Sequence, residues 1–430
     1  MNESFDLLVV GAGPGGMAAV ATASGAGLRV CLIDDNPSAG GQIWRAGITP
    51  KDSSPEAAQW MKQIQNANVE TRFGWRAVAA PSPRRLRVER FGQCDDIEYS
   101  SLILATGARE RFLPFPGWTL PGVYGAGGLQ AFVKSGLDIR GRRVVVAGTG
   151  PLLLAVAAHL RAAGAQIVAI VEQASARQLA RFSVSLLREQ LEKLVEGARY
   201  ALATAGVPYR TGAWVASVAG RQHVEGVTIR FGSRVLEVEA DMLAIGYHLV
   251  PNTELAQFLH CALVSGYVHV DALQETSVEG IYCVGELTGI GGVDKAKLEG
   301  RIAALAAIGQ SAQAALLFEK RKRERRFARN LAAAFALREE LRHLATEDTF
   351  VCRCEDVPYG ELVQCNSWRE AKLHTRCGMG PCQGRICAPA AEFLFGWKAP
   401  VPRPPLFPVE TGTLAAAGPD SQPKIGTVAS

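Results

Sequence analysis

The chain has 430 residues, 48% of them hydrophobic, with 45 glycines, ten cysteines and a net charge of +5. That length exceeds one ordinary core and implies two or three domains, while so mild a charge points to neither a nucleic-acid nor a membrane surface. No apolar run approaches the roughly 20 residues of a membrane span, and the opening "MNESFDLLVVGAGPGG" has neither a basic leader nor a small-residue cleavage site, so a cytoplasmic, reducing location is expected, with the inner membrane face as a peripheral alternative.

Residues 5–10, FDLLVV, read as a buried strand running into Gly11, Gly13, Pro14, Gly15 and Gly16, and then into a helix. RVCLIDD follows as a second strand ending in Asp34 and Asp35. Strand, glycine loop, helix, strand and acid make the pattern of a dinucleotide fold. The first glycine permits the turn, the second admits a pyrophosphate, and the third packs helix on strand. The helix N-terminus then faces the anion and the acid takes a ribose hydroxyl. The bland alternative is a glycine-rich turn in an unliganded α/β unit. GGQIWR (40–45), with Gly41 and Gln42, is a further glycine loop, expected to pass close to a flavin. SLILATGARE ends a strand at Thr106 and Gly107, and GIYCVGELTGIGG ends another at Gly285 and Glu286. These four motifs, in this order over residues 5–315, resemble the glutathione-reductase-like flavoproteins with two dinucleotide folds. The resemblance implies FAD, with the late acid, here Glu286, on a ribityl hydroxyl.

Between the flavin motifs, RRVVVAGTGPLLLAVAAHLRAAGAQIVAIVEQ repeats strand, loop, helix and strand with Gly148, Gly150 and Glu172. Leu153 stands where the third glycine belongs and would hold helix and strand apart. Three readings of this second fold stay open: a nicotinamide site, a site for another nucleotide such as ATP, and a structural copy. Dithiol exchange is not expected, because no cysteine lies between Cys94 and Cys261. LLFEKRKRERRFARN (316–330) reads as a solvated helix joining two domains rather than a nucleic-acid footprint. After residue 398, KAPVPRPPLFPVETGTLA is expected to be extended. Its Leu406, Phe407 and Val409 suit either a disordered tail or an arm lying on a partner protein.

Six of the ten cysteines lie between residues 352 and 387. Cys352 and Cys354 form C-x-C, and Cys377 and Cys382 form C-x4-C. Between them the sequence predicts a short helix, a break at Asn366–Ser367 and a second short helix. A third helix starting near Cys382 would put the second pair at a helix N-terminus, which favours thiolates. Glycines 378, 380 and 384 would let backbone amides reach the sulfurs. Four such thiolates suit a [2Fe–2S] cluster. Zinc is the structural alternative, and the C-x-C pair fits zinc knuckles less well. Cys365 is expected as a buried thiol, like Cys31, Cys94, Cys261 and Cys283, and Cys387 as a substitute ligand.

VCRCEDV, TRCGMGPCQGRIC, GYHLVPNTEL and RPPLFPV together resemble the α subunits of heteromeric bacterial opine oxidases, proline and hydroxyproline dehydrogenases and hydrogen cyanide synthase. The resemblance implies a C-terminal [2Fe–2S] domain of the bacterioferritin-associated-ferredoxin type. It also implies a glycine/sarcosine-oxidase-like β flavoprotein that oxidises the amine, and a small ferredoxin-like subunit. FMN between α and β, and ATP in the second nucleotide fold, are further implications. The expected architecture is α/β, with two glutathione-reductase-like Rossmann-type domains and a small helical C-terminal domain. Residues 1–115 and 241–315 would form the FAD domain, 116–240 the second nucleotide-binding-like domain and 316–348 a helical linker. Residues 349–398 would form the cluster domain and 399–430 an extended tail. The expected function is an electron-transfer subunit of an amino-acid or amine dehydrogenase. The alternatives are an NAD(P)H-dependent ferredoxin-type reductase and a non-catalytic nucleotide-bound scaffold. No motif identifies a substrate base.

Overall fold

The computed structural model describes residues 3–44, 55–65 and 68–415; Arg45 of the GGQIWR motif and the tail beyond 415 lie outside the described residues. The elements that position the sites are, in chain order, β1 (Glu3–Val10), α1 (Pro14–Ala23), β2 (Val30–Asp34), β3 (Gln93–Leu104), β4 (Arg143–Thr149), α2 (Leu152–Ala162), β5 (Gln166–Glu172), β6 (Met242–Tyr247), α3 (Val293–Ala307), α4 (Phe318–Ala334), α5 (Trp368–Thr375) and α6 (Cys387–Phe395). They fall into two compact units. The first comprises Met1–Ala108, Pro251–Arg325 and Val401–Ser430, and the second Arg109–Val250 and Arg326–Pro400.

In the first unit, β1 is central and parallel to its neighbours, with Val10 beside Ile33 of β2 and Leu104 of β3. Ile281–Cys283 pairs in parallel with the end of β3. Strands covered on both faces read as unbroken apolar runs, and Leu7, Leu8, Val9, Leu32, Ile33, Ile103 and Leu104 are all buried. Helices α1 and α3 approach almost backbone to backbone. A Cβ on Gly300 would lie 2.1 Å from the Gly15 carbonyl oxygen. Small residues at both positions are what permit that approach.

In the second unit, β4 lies between β5 and β6, all parallel, with Tyr209–Thr211 and Val123–Gly125 at the edges. A three-stranded antiparallel sheet (Ala213–Ala219, Gly226–Phe231, Arg234–Glu239) accompanies it. The cysteine-rich segment groups with this unit. Ile386 and Phe393 pack on the core that holds Val145 and Leu243, and Trp118 Nε1 donates to the Phe350 carbonyl at 2.6 Å. The unit boundaries fall at 108/109 and 250/251, against the expected 115/116 and 240/241.

Two expectations need correction. The basic run is helical, as α4, but it is not merely solvated. Arg321 is buried and donates to the Ala272 carbonyl and Gln274 Oε1, and Arg325 donates to Gln274 Oε1 and Glu299. Buried oxygens need such donors. Two of the three tail anchors, Leu406 and Phe407, lie on the chain's own first unit. Leu406 is buried and donates its N–H to the Val78 carbonyl, the Arg76 guanidinium sits over Phe407, and Thr411–Ala415 is helical.

Candidate cofactor sites

The first glycine loop leaves β1 at Gly11, whose φ of +107° is left-handed and whose added Cβ would lie 2.3 Å from the Ala105 carbonyl oxygen. Gly16 is equally constrained, because a Cβ there would lie 1.8 Å from the Gly11 carbonyl oxygen. Gly13 differs: it caps α1 at φ −73°, and the nearest atom to a Cβ is Gly41 Cα at 3.9 Å. So, among the described residues, the middle glycine leaves room beside it. Gly40 donates to the Ala12 carbonyl at 2.8 Å, laying the GGQ turn against the loop, with Gln42 exposed beside it. First-turn amides such as those of Gly15 and Gly16 have no acceptor within their helix. Together with the helix dipole they form an anion cradle.

The two acids after β2 divide their work. Asp34 accepts from Ala12 N–H at 2.6 Å and from Asn36 N–H and Nδ2 at 2.8 Å, so it braces the loop. Asp35 is exposed, 3.6 Å from Arg76 Nε, and is the carboxylate turned outward. Thr106 and Gly107 are tied to Asn252. Thr106 Oγ1 donates to the Asn252 carbonyl, Asn252 Nδ2 to the Thr106 carbonyl, and Asn252 N–H to the Gly107 carbonyl. Glu286, expected on a ribityl hydroxyl, lies beside the start of α3. Its two oxygens accept from Gly291 and Gly292 N–H at 3.0 and 2.9 Å, at the N-terminus of α3. Beneath it lies a network not anticipated from the sequence. Lys295 Nζ donates to the Gly285 carbonyl, Thr288 Oγ1 and Glu299 Oε2. Against the cost of burial, Lys295 and Arg325 hold the Glu299 carboxyl below its usual range. The available signal was a Lys and Glu four residues apart on a helix that also carries Asp294, Lys297 and Arg301, so it did not stand out.

The second fold repeats the turn but not its surroundings. Gly148 takes φ +132°, and its Cβ would lie 1.9 Å from the Gly246 carbonyl oxygen; Gly150 has φ +101° and nothing within 4 Å. Leu153 is buried among Val144, Val146 and Val156. Glu172 is fully engaged within the protein: Oε1 accepts from Thr149 Oγ1 at 2.9 Å and Ala174 N–H at 2.8 Å, and Oε2 from Gly150 N–H at 2.7 Å. Burial pushes it up to about 7. In open α/β sheets, ligands bind beyond the carboxyl ends of the strands, where strand order reverses. Here Thr149, Gln173 and His248, which follow the ends of β4, β5 and β6, all hydrogen-bond the Phe335 carbonyl. Gln173 also donates to the Ala336 carbonyl and accepts from Arg338 N–H. Phe335 itself is buried against Phe182. The crevice is strapped by the chain's own residues 335–338.

The cysteine group gathers five sulfurs. Cys352, Cys377 and Cys387 are buried, with their Sγ atoms all within 4.8 Å of one another. Cys354 is in side-chain hydrogen-bond contact with Cys382 and accepts the Cys382 N–H. Backbone amides of Gly378 and Glu355 reach the Cys352 sulfur. Side-chain hydrogen bonds from Cys377 and Cys387 hold the Cys352 thiol below its usual range, and the reciprocal bond to Cys352 pushes Cys377 up. Trp368, the first residue of α5, covers the loop. Its ring lies 2.6 Å from where a Gly378 Cβ would be and 3.2 Å from a Gly384 Cβ. A Cβ on Gly380 would strike that of Cys354 at 2.4 Å. The third helix begins at Cys387 rather than near Cys382. The helix N-terminus therefore carries Cys387, and the expected placement of the C-x4-C pair there is corrected. Cys365 and Cys94, expected to be buried, are half-exposed.

Comparison with known proteins gives a consistent neighbourhood. Residues 5–313 match the family model described as pyridine nucleotide-disulphide oxidoreductase. The chain is 31% identical to the HcnB subunit of hydrogen cyanide synthase from Pseudomonas aeruginosa, covering 88% of this chain and 90% of that protein. It is also 31% identical to an opine oxidase subunit of Agrobacterium tumefaciens, covering 90% and 85%. Among solved structures, L-proline dehydrogenase from P. horikoshii superposes with a TM-score of 0.68 at 20% identity, covering 96% of this chain and 80% of that one. Among the described residues, no helix is long and apolar enough to cross a membrane.

Proposed function

The chain belongs to the pyridine nucleotide-disulphide oxidoreductase family, among flavin-dependent oxidoreductases related to HcnB and to opine oxidase, and from that premise we propose that it is the electron-transfer subunit of a heteromeric amino-acid or amine dehydrogenase. The observation that carries the reading is the gathering of five cysteine sulfurs, with backbone amides on them, in a chain whose first fold is an anion cradle. Two relatives are, by name, subunits. A β flavoprotein partner is accordingly part of the proposal, as is an amine or amino-acid donor oxidised at its C–N bond on that partner.

On this reading Gly11, Gly13, Gly16 and Gly41 shape the cradle for an FAD pyrophosphate, α1 presents its first amides, and Asp35 offers a ribose acceptor. The cysteine group holds a [2Fe–2S] cluster, with Gly378 and Glu355 amides tempering thiolate charge and Trp368 excluding water. When bound, such groups couple two-electron flavin chemistry to one-electron transfer. The second fold is read as structural, since Glu172 and the strap at Phe335–Arg338 engage its strand ends.

Anaerobic spectroscopy of the purified chain tests the proposal. Reduction of its chromophores is expected when the β flavoprotein and its amine are both present. Bleaching by NADH alone would favour a self-sufficient nicotinamide-dependent reductase, and no redox response under either condition would favour a scaffold.

A further inference from the structure

A [2Fe–2S] cluster takes four protein ligands, yet five sulfurs converge here, and their arrangement is uneven. Cys354 and Cys382 form an outer pair in contact with each other, Cys354 exposed and Cys382 half-exposed. Cys352, Cys377 and Cys387 form an inner, buried triangle. Tetrahedral metal–thiolate bonds of about 2.3 Å set ligand sulfurs roughly 3.8 Å apart. A triangle spanning no more than 4.8 Å is a small side-chain adjustment from that spacing, whichever two corners are used. The corners are not equivalent. Cys352 is fixed by two backbone amides. Cys377 lies in a loop just before left-handed Gly378, and Cys387 opens α6, a nine-residue helix whose Ala390 and Ala391 are buried in the same cluster as the sulfurs. The loop sulfur and the helix sulfur therefore reach the same buried triangle from two different elements.

We propose that Cys387 is a built-in alternative ligand: Cys354 and Cys382 hold one iron, Cys352 and one of Cys377 or Cys387 hold the other, and the two are interchangeable. This rests on the cluster reading above. A ligand exchange of this kind moves a proton between the two thiols and leaves the count of thiolates on iron unchanged. It would let the inner iron keep four sulfur contacts while the loop 378–384 rearranges.

The test uses the full chain purified anaerobically, with iron, acid-labile sulfide and zinc measured, and with the electron paramagnetic resonance signal recorded after reduction. Cys377→Ala and Cys387→Ala should each retain most of the iron, the first with shifted g-values because its ligand has changed. The double variant should lose nearly all of it, as should Cys354→Ala. FAD content, held by the other unit, reports whether each variant has folded, and Cys387→Ser provides a second, less disruptive substitution. If Cys377→Ala loses iron as fully as the double variant while retaining FAD, the exchange is wrong and the cluster reading stands. If wild-type protein carries zinc and no iron, the cluster reading fails, and the exchange fails with it.

Discussion

The two glycine loops of this chain share their first and middle glycines and the proline that follows, and differ at the third position and beyond the strand ends. Gly11 and Gly148 both adopt left-handed backbone, and in both a Cβ would collide with the carbonyl of a neighbouring strand, at 2.3 and 1.9 Å. That similarity is what the fingerprint encodes: a strand must turn sharply into a helix. Beyond these shared residues the folds diverge. Gly16 lets α1 close onto the loop, whereas Leu153 fills the corresponding place with aliphatic core. Both middle glycines keep space beside them, with nothing nearer than 3.9 Å to a Cβ on Gly13 and nothing within 4 Å of one on Gly150, but the second fold has its strand ends bonded to Phe335 and Arg338. A glycine pattern thus reports backbone geometry; the groups standing beyond the strand ends decide whether a nucleotide enters.

The largest effect should come from Gly16→Val. Its Cβ would sit 1.8 Å from the Gly11 carbonyl oxygen, a clash with backbone that no rotamer relieves. Loss of flavin and a destabilisation above about 4 kcal/mol are expected, the tail of the range seen for single substitutions. Flavin-replete, stable Gly16→Val would break the comparison at once. Phe335→Ala follows. Removing a buried phenylalanine should cost about 3–5 kcal/mol, read by chemical denaturation of the second unit. If it instead leaves stability unchanged, the strap is incidental.

Glu172 sharpens the contrast through pH. Its folded pKa is raised from 4.5 to about 7, so between those values the folded state holds a proton that the unfolded state has released. The group's contribution to stability therefore falls as pH rises through that window and is flat above it, by up to roughly 3 kcal/mol. The difference in unfolding free energy between wild type and Glu172→Gln should move against wild type from pH 4.5 to 7.5. A difference independent of pH would mean that the three hydrogen bonds keep the carboxylate ionised. Smallest in stability is Gly13→Ala. With φ −73° and open space to 3.9 Å, it should change unfolding by less than about 0.5 kcal/mol. Its flavin affinity should nevertheless drop, because the methyl would enter the space reserved for phosphate. Flavin affinity unchanged in Gly13→Ala would deny the cradle its ligand.

What was legible in the sequence was mostly local. FDLLVV, the glycine run and RVCLIDD specify strand, turn and strand within about 30 residues, and the parallel β1–β2 register follows from them. C-x-C and the glycines around Cys377 likewise marked the sulfur group, since small residues next to thiols have few other uses. The strap was not legible, because Thr149 and Phe335 are 186 residues apart and a backbone carbonyl has no sequence signature. The place of Cys387 in the buried triangle was not legible for a related reason. Its place depends on where the third helix starts, and Pro381 and Cys382 form turns before α6 begins. Glu286 and Glu172 show the remaining gap: the pattern places an acid at the strand end, but nearby backbone amides, those of Gly291 and Gly292 for the first and of Gly150 and Ala174 for the second, determine which way its oxygens face.

The most direct measurement is the nucleotide content of the purified chain, released by denaturation and separated chromatographically. One FAD per chain, with no stoichiometric ATP or nicotinamide nucleotide, is the predicted result, because the first glycine loop presents its helix amides to an anion and the second fold's strand ends are bonded to residues 335–338. A second adenine nucleotide recovered in equal amount, or FAD surviving in Gly16→Val while vanishing in Phe335→Ala, would contradict the account.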